Sequence, residues 1–471
     1  MTPPVATEPV HAFTDDALGT LDAVGLAAAI RAGELGRREV LEAAIARVQR
    51  VDPELGAVQV DCFDRARRGP ATFGPFAGVP SFVKDNADVA GLPSCHGSAA
   101  FVPYPRRRNS PPAEQFLRQG FVLLGKSTMP EFGLTASTEY ADRPPTRNPW
   151  NTAHSAGASS GGAAALVASG AVPIAHANDG GGSIRIPAAA TGLVGLKPTR
   201  GRMLAQAGID HLPVNLVAEG VVSRTVRDCA HYYAAAERYR PAPGLPPIGL
   251  VEGPSGRRLR IGVIRADIRG HRPHPETEAE LDAAAAQLAG FGHELIEQRL
   301  QADPRFVDDF CTYWALCAVL MMASFQVEHG RRFDPRRIDR FTRGLAATIA
   351  RHPLSVVPAA RRLRGATALY DEHFAEVDVL LSPTLSHPAP PLGEQSPNQP
   401  FDELFAKLID YVGFTPLNNI GGGPGISVPH GLTSGNLPGS VQLSAPRGDE
   451  ATLLDLAYQL EAAGNFPSIT A

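Results

Sequence analysis

Apolar positions in the first part of the chain recur at helical spacing. Leu21, Val24 and Ala28 form one stripe, which Gly33 ends; Val40, Leu41, Ala44, Ile45 and Val48 form another, running to Asp52-Pro53. Residues three and four apart share a helix face, so 21–53 is expected to be a helical hairpin that the proline closes. The pattern changes near residue 78. Short β-rich runs at 79–83, 121–124 and 172–177 alternate with Ala-rich helical segments, which predicts a layered α/β domain.

A Pro/Gly-rich stretch, P-A-P-G-L-P-P at 241–247 continuing to Gly256, interrupts this order. It reads as a surface excursion over 241–257 within one large domain spanning 1–471. The core lies at about 70–240, and the second half, 258–471, completes the sheet and pocket. That half opens on the strand-like L-R-I-G-V-I and an Ala-rich helix at 276–291. It closes on V-D-V-L-L-S-P-T, V-Q-L-S and a helix near 451–463. The aromatic and Met-rich segment 311–325 is expected to be a buried helix, and its apolar run, Tyr313 to Phe325, is too short to span a bilayer.

Of the 471 residues, 44% are hydrophobic and 20% charged, enough apolar material for a sizeable core. A net charge of −4 creates no field that recruits nucleic acid or an anionic membrane. The basic clusters at 331–337 and 361–364 lack an aromatic stacking platform and read as solvated helix faces. Neither nucleic acid nor membrane is expected as a partner. Five scattered cysteines lack metal-ligand spacing, and M-T-P-P-V-A-T-E-P-V has no secretory pattern. Reduced thiols in a cytoplasmic protein are the expectation. His271 and His274 lack the i, i+4 spacing and the glutamate of a helical metal site, so no metal is implied.

Gly120 to Ser127 matches the phosphate-loop pattern letter for letter. Its spacer, Phe-Val-Leu-Leu, is strand-forming rather than a loop, and Pro130 follows at once, against a helix starting at the lysine. Lys126 is expected to be structural. Cys95-His96 is no thiol–base pair, because adjacent side chains seldom face one another. His154 and His176 lie near the glycine-flanked serines, but His176 falls in a strand as an interior histidine.

Two serines stand among glycines, in G-A-S-S-G-G at 157–162 and N-D-G-G-G-S-I-R-I-P at 178–187. A helix of about nine residues after Ser159 travels roughly 13 Å, and the following strand returns by a similar distance. Their hydroxyls therefore meet at one sheet edge, although 24 positions separate Ser159 from Ser183. G-V-P-S-F-V-K-D-N at 78–86 brings Lys84 to a strand end in the same manner. Desolvation can lower a lysine pKa enough to make it a base. A salt bridge of Lys84 with Asp85 or another acid is the alternative.

At these motifs the sequence resembles the amidase signature hydrolases over nearly its whole length. The matching runs include 78–86, G-L-P-S-C-H-G-S at 91–98, L-L-G-K-S-T-M-P-E-F-G at 123–133, N-P-W-N-T-A-H-S at 148–155, both serine blocks and G-L-V-G-L-K-P-T-R-G at 192–201. The resemblance implies a single three-layer α/β/α domain around a mixed β-sheet, and a Ser–cis-Ser–Lys unit. In it Ser183 is the nucleophile, Ser159 the bridging serine after a cis peptide, and Lys84 the base. The backbone N–H groups of Gly180, Gly181, Gly182 and Ser183 would face the oxyanion. Asp179 and Arg185 are expected to hold the glycine loop.

The family also implies that the second-half segment walls the acyl pocket, with Tyr313, Trp314 and Cys317 as candidates. Glycine at 180 replaces a commoner threonine, and Ala156 and Ala158 replace proline and glycine. The D-G-G-G-S variant resembles a subgroup that includes 6-aminohexanoate cyclic dimer hydrolase and broad-specificity bacterial amidases. The implied reaction is cofactor-free hydrolysis of a small-molecule carboxamide. The alternative is the catalytic subunit of a glutamine-dependent amidotransferase; a homodimer is left open.

Overall fold

The two N-terminal stripes fold as the helices Ala23–Ala32 and Arg37–Leu55. Asp22 caps the first by accepting from the Gly25 N–H, and Gly33 ends it at φ 77°. The second does not stop at Asp52-Pro53. It runs to Leu55 before Gly56 turns left-handed. Proline forfeits only one backbone bond in a last turn, and the fully buried Val51 and Leu55 anchor that turn to the core. The structure, a computed structural model, describes residues 8–209 and 212–470. The first seven residues of the N-terminal stretch read above lie outside that range.

Eleven strands follow among the described residues, in chain order: β1 (Val58–Asp61), β2 (Pro80–Lys84), β3 (Val122–Ser127), β4 (Ile174–Asp179), β5 (Val194–Lys197), β6 (Ala218–Ser223), β7 (Arg260–Ile264), β8 (Glu294–Gln298), β9 (Val379–Pro383), β10 (Gly425–Leu432) and β11 (Pro438–Ser444). Eight form a mixed sheet in the order β4-β6-β5-β10-β11-β9-β7-β8, and three form a small sheet, β1-β3-β2. Pairing is antiparallel from β4 to β9 and parallel from β9 through β7 to β8. Strands from either side of 241–257 thus share one large sheet. The helices Gly161–Ala168, Arg185–Thr191, Val226–Tyr239, Pro275–Gly290 and Glu450–Ala462 pack on it, giving an α/β architecture.

Lys84 and the two serines were expected at the edge of one sheet. The strand carrying Lys84 belongs instead to the small sheet. Its edge β2 runs beside β4, the edge of the large sheet, and side chains replace the backbone ladder. Ser81 Oγ donates to the Ile174 carbonyl at 2.7 Å, and the Lys84 N–H donates to His176 Nδ1 at 3.4 Å. The two strands point the same way, so the ends at Lys84 and Asp179 coincide.

The apolar segment at 311–325 extends in both directions into the helix Phe306–His329. By length and composition this helix is long and apolar enough to cross a membrane, unlike the shorter run read from the sequence. It packs on the helices Arg340–Arg351 and Val356–Glu372 and turns Phe310, Trp314, Cys317 and Met321 toward a cavity.

Candidate active site

Lys84, Ser159, Ser160 and the loop carrying Ser183 gather where β2 and β4 end. Lys84 is fully buried, and its Nζ donates to Ser159 Oγ and Ser160 Oγ at 2.8 Å each and to Asn178 Oδ1 at 2.7 Å. The Ala158–Ser159 peptide is cis. Ser160 Oγ in turn donates to the carbonyl of Ser183 at 2.6 Å. Ser183 therefore joins the cluster through its backbone; among the described residues no hydrogen bond links the Ser159 and Ser183 hydroxyls. Both serines line a cavity of about 1570 Å³.

The environment of Lys84 sets its charge. All its close partners are neutral oxygens, and no carboxylate among the described residues pairs with it. Burial pushes the ammonium down to about 7, against the opposing pull of Glu219 and Asp179. A buried amine with neutral acceptors loses its proton more readily than one in water. The alternative of a salt bridge to Asp85 is not what the structure holds: Asp85 pairs with Lys126 at 3.4 Å.

The glycine loop is clamped from behind. Arg185 Nε donates to Asp179 Oδ2 at 2.9 Å, and its other nitrogens reach Asn418, Asn419 and Gln442. Burial opposes ionisation of Asp179, but the Arg185 guanidinium and its hydrogen bonds hold the carboxyl down to about 2. Asp179 and Arg185 thus carry the structural role expected of them.

The same clamp corrects one expected oxyanion donor. The Gly182 N–H donates to Asp179 Oδ1 at 2.6 Å, and the Gly181 carbonyl accepts from Thr415 Oγ1 at 2.6 Å. A planar peptide held at both ends cannot turn its N–H to the cavity, so Gly182 is committed to the loop itself. The N–H groups of Gly180, Gly181 and Ser183 have no acceptor among the described residues, and these three residues line the cavity. Gly182 is nonetheless required. Its φ is +136°, and a Cβ there would lie 2.4 Å from Thr415 Oγ1.

On the far side Ser159 rests against Gly133, at φ +74°, where a Cβ would come within 2.9 Å of its hydroxyl oxygen. Trp314 and Cys317 line the cavity as anticipated. Tyr313 does not. One residue earlier on the helix it points about 100° away from Trp314, buried, with its hydroxyl bonded to the backbone of Val214.

The rival groups are accounted for. His176 lies behind Lys84, its Nε2 3.2 Å from Glu219 Oε2, and neither it nor His154 lines the cavity. Burial pushes the Cys95 thiol up to about 11 and holds the His96 imidazole down to about 3, the opposite of a thiolate–imidazolium pair. Lys126 ends no phosphate loop; it lies within β3 and donates to the carbonyls of Asp85 and Pro93. Ser160 and Asn178 were not anticipated. Their signals were the Ser-Ser doublet, in which only the first serine was weighed, and the asparagine opening N-D-G-G-G-S.

Nucleophilic hydroxyls over a buried amine, beside unpaired backbone N–H groups, are the equipment of an acyl-transfer enzyme. Residues 39–454 match the Amidase family model: the chain belongs to the amidase signature family and is an amide-hydrolysing enzyme. It is 45% identical over 467 residues to a putative amidase, AmiC, of Mycobacterium tuberculosis, covering 98% of each chain. The structure of 6-aminohexanoate cyclic dimer hydrolase in complex with substrate superposes with a TM-score of 0.86 at 31% identity, over 96% of this chain and 98% of that one. The structure of a bacterial aryl acylamidase of the same family superposes with a TM-score of 0.82 at 27% identity, over 94% of this chain and 96% of its own.

Proposed function

We propose that the chain cleaves a small-molecule carboxamide through an acyl-enzyme on Ser183, with Lys84 as base and Ser159 as relay. Ser183 Oγ attacks the carbonyl carbon and forms the C–O bond. Its proton passes to Ser159 Oγ, and the Ser159 proton passes to Lys84 Nζ, because a hydroxyl both donates and accepts. The oxyanion meets the N–H groups of Gly180, Gly181 and Ser183. As the C–N bond breaks, the proton returns through Ser159 to the departing amine. Water then attacks the ester by the same route and frees the acid.

The observation that carries this reading is that the direct partners of Lys84 are neutral oxygens, Ser159 among them at 2.8 Å, with its proton affinity lowered by burial to the neutral range. The aromatic cavity wall favours an apolar or aromatic acyl group. A cytoplasmic location fits the five free thiols.

The purified chain, without ATP or tRNA, is assayed on aliphatic and aryl amides. Turnover is expected, with a Ser183 ester trapped by mass spectrometry. Ser183→Ala should lower kcat by about 10⁴-fold or more; a variant that keeps its turnover overturns the nucleophile assignment.

A further inference from the structure

The long helix divides the cavity into two chemically different arms. A Cβ at Gly181 would touch the Phe310 ring at 3.4 Å, so the glycine loop faces the N-terminal part of this helix. That arm is mostly apolar, lined by Leu216, Val217, Leu300, Phe306, Val307 and Phe310, and the arginine beside it, Arg269, is neutralised by Asp267 at 2.8 Å and Asp410 at 2.7 Å. Ser159 lies against Gly133, next to Phe132, whose ring is 5.2 Å from Phe325. Phe310 and Phe325 are about 22 Å apart along the helix at ~1.5 Å per residue. The reacting serines therefore sit between the two arms.

Beyond Phe325 the lining turns cationic. Arg106, Arg107 and Arg108 arrive on the loop after Tyr104, and Arg332 follows the helix end. Arg106 is bound to Asp88 at 2.8 Å and to Glu328, which occupies the two acidic side chains in the cavity lining. Arg332 lies over the Tyr104 ring at 4.4 Å without a carboxylate partner among the described residues. Arg107 and Arg108 are exposed and have no ion-pair or hydrogen-bond partner among the described residues. Four arginines against two carboxylates leave this arm net positive, one to two helical turns beyond Phe325.

From this we infer that the enzyme selects amides carrying an anionic group, a carboxylate, on the portion that extends past Phe132 and Phe325, with Arg107, Arg108 and Arg332 as specificity-determining residues. The inference rests on the amidase reading above and adds the charge of the substrate to it. Arginine suits the task, since its planar fork meets a carboxylate with two parallel N–H groups. Because these guanidinium groups are solvated, their effect is modest individually and screened by salt.

The test uses two aryl amides of matched length, one ending in a carboxylate and one in the isosteric carboxamide. At low ionic strength the acid is expected to show a kcat/KM about tenfold above the neutral amide, with the ratio falling toward one in high salt. Arg107→Glu combined with Arg108→Glu should invert the preference, while Arg361→Ala, outside the cavity lining, should leave it. A ratio near one in the unmodified chain overturns the inference, as does a preference that survives both charge reversals. Binding of the same two compounds to the Ser183→Ala protein, by calorimetry, separates the two readings. If neither amide turns over, the catalytic proposal fails, and equal affinities for acid and carboxamide sink the charge selection independently.

Discussion

Two buried lysines lie almost side by side in the small sheet and differ in the charge of the oxygens around them. Lys84 pairs in register with Ser127, and Val83 with Lys126, so the two are one position apart on adjacent strands. Both are fully buried, and burial lowers the proton affinity of each. Lys126 has a carboxylate partner, Asp85 at 3.4 Å, two backbone carbonyls and the Ser94 hydroxyl. Lys84 has two hydroxyls and an amide oxygen. Equal burial therefore says little about a lysine's role. What matters is whether the surrounding oxygens carry charge: a carboxylate keeps the ammonium and makes a strut, whereas neutral oxygens let the proton go.

The strongest break in the comparison is Lys84→Met. It should cut kcat by about 10³–10⁴-fold, the range of a lost general base, while urea denaturation shows stability unchanged or raised, since a desolvated amine has been removed. Lys126→Met should do the reverse. Stranding the Asp85 carboxylate is expected to cost about 3 kcal/mol of unfolding free energy, with kcat of the folded fraction within tenfold of the parent.

The pH profile sharpens the contrast. A base must be neutral to act, and burial holds Lys84 at about 7. Accordingly kcat/KM should fall roughly tenfold per unit as pH drops below that value, and level off above it. A limb centred near 10 instead would mean that Lys84 stays charged. The smallest effect is expected from His176→Gln. This imidazole accepts from the Lys84 N–H and faces Glu219, behind the reacting groups, so kcat should change by about threefold at most. A loss comparable to that of Lys84→Met would make the histidine the base.

Much of this was legible beforehand because it depends on neighbours in the chain. Period-3.6 stripes located the N-terminal helices, and β-rich runs located β2, β3 and β4 to within a few residues. Misreadings arose where distant groups competed for the same atom or face. Proline 53 did not end its helix, because buried Leu55 continued the packing. Gly182 was counted as an oxyanion donor, but Asp179 takes its N–H, an acceptor held in place by Arg185 and Asn419. Tyr313 was placed on the cavity wall with Trp314, although consecutive helical residues point about 100° apart and only the docking of the helix chooses which faces in.

Sequence alone singled out a lysine closing a strand, serines among glycines and an Asp-Arg pair around the loop as side chains that meet at one edge of the fold. These are local patterns, and local patterns are written in neighbouring residues. Tertiary structure alone decided the burial of Lys84 among neutral oxygens, the entry of Ser160 and Asn178, the number of backbone donors left facing the cavity and its division into a mostly apolar and a cationic arm. Each depends on the solvent and charge that remain after segments from both halves of the chain have closed around a point, and no single stretch of residues carries that information.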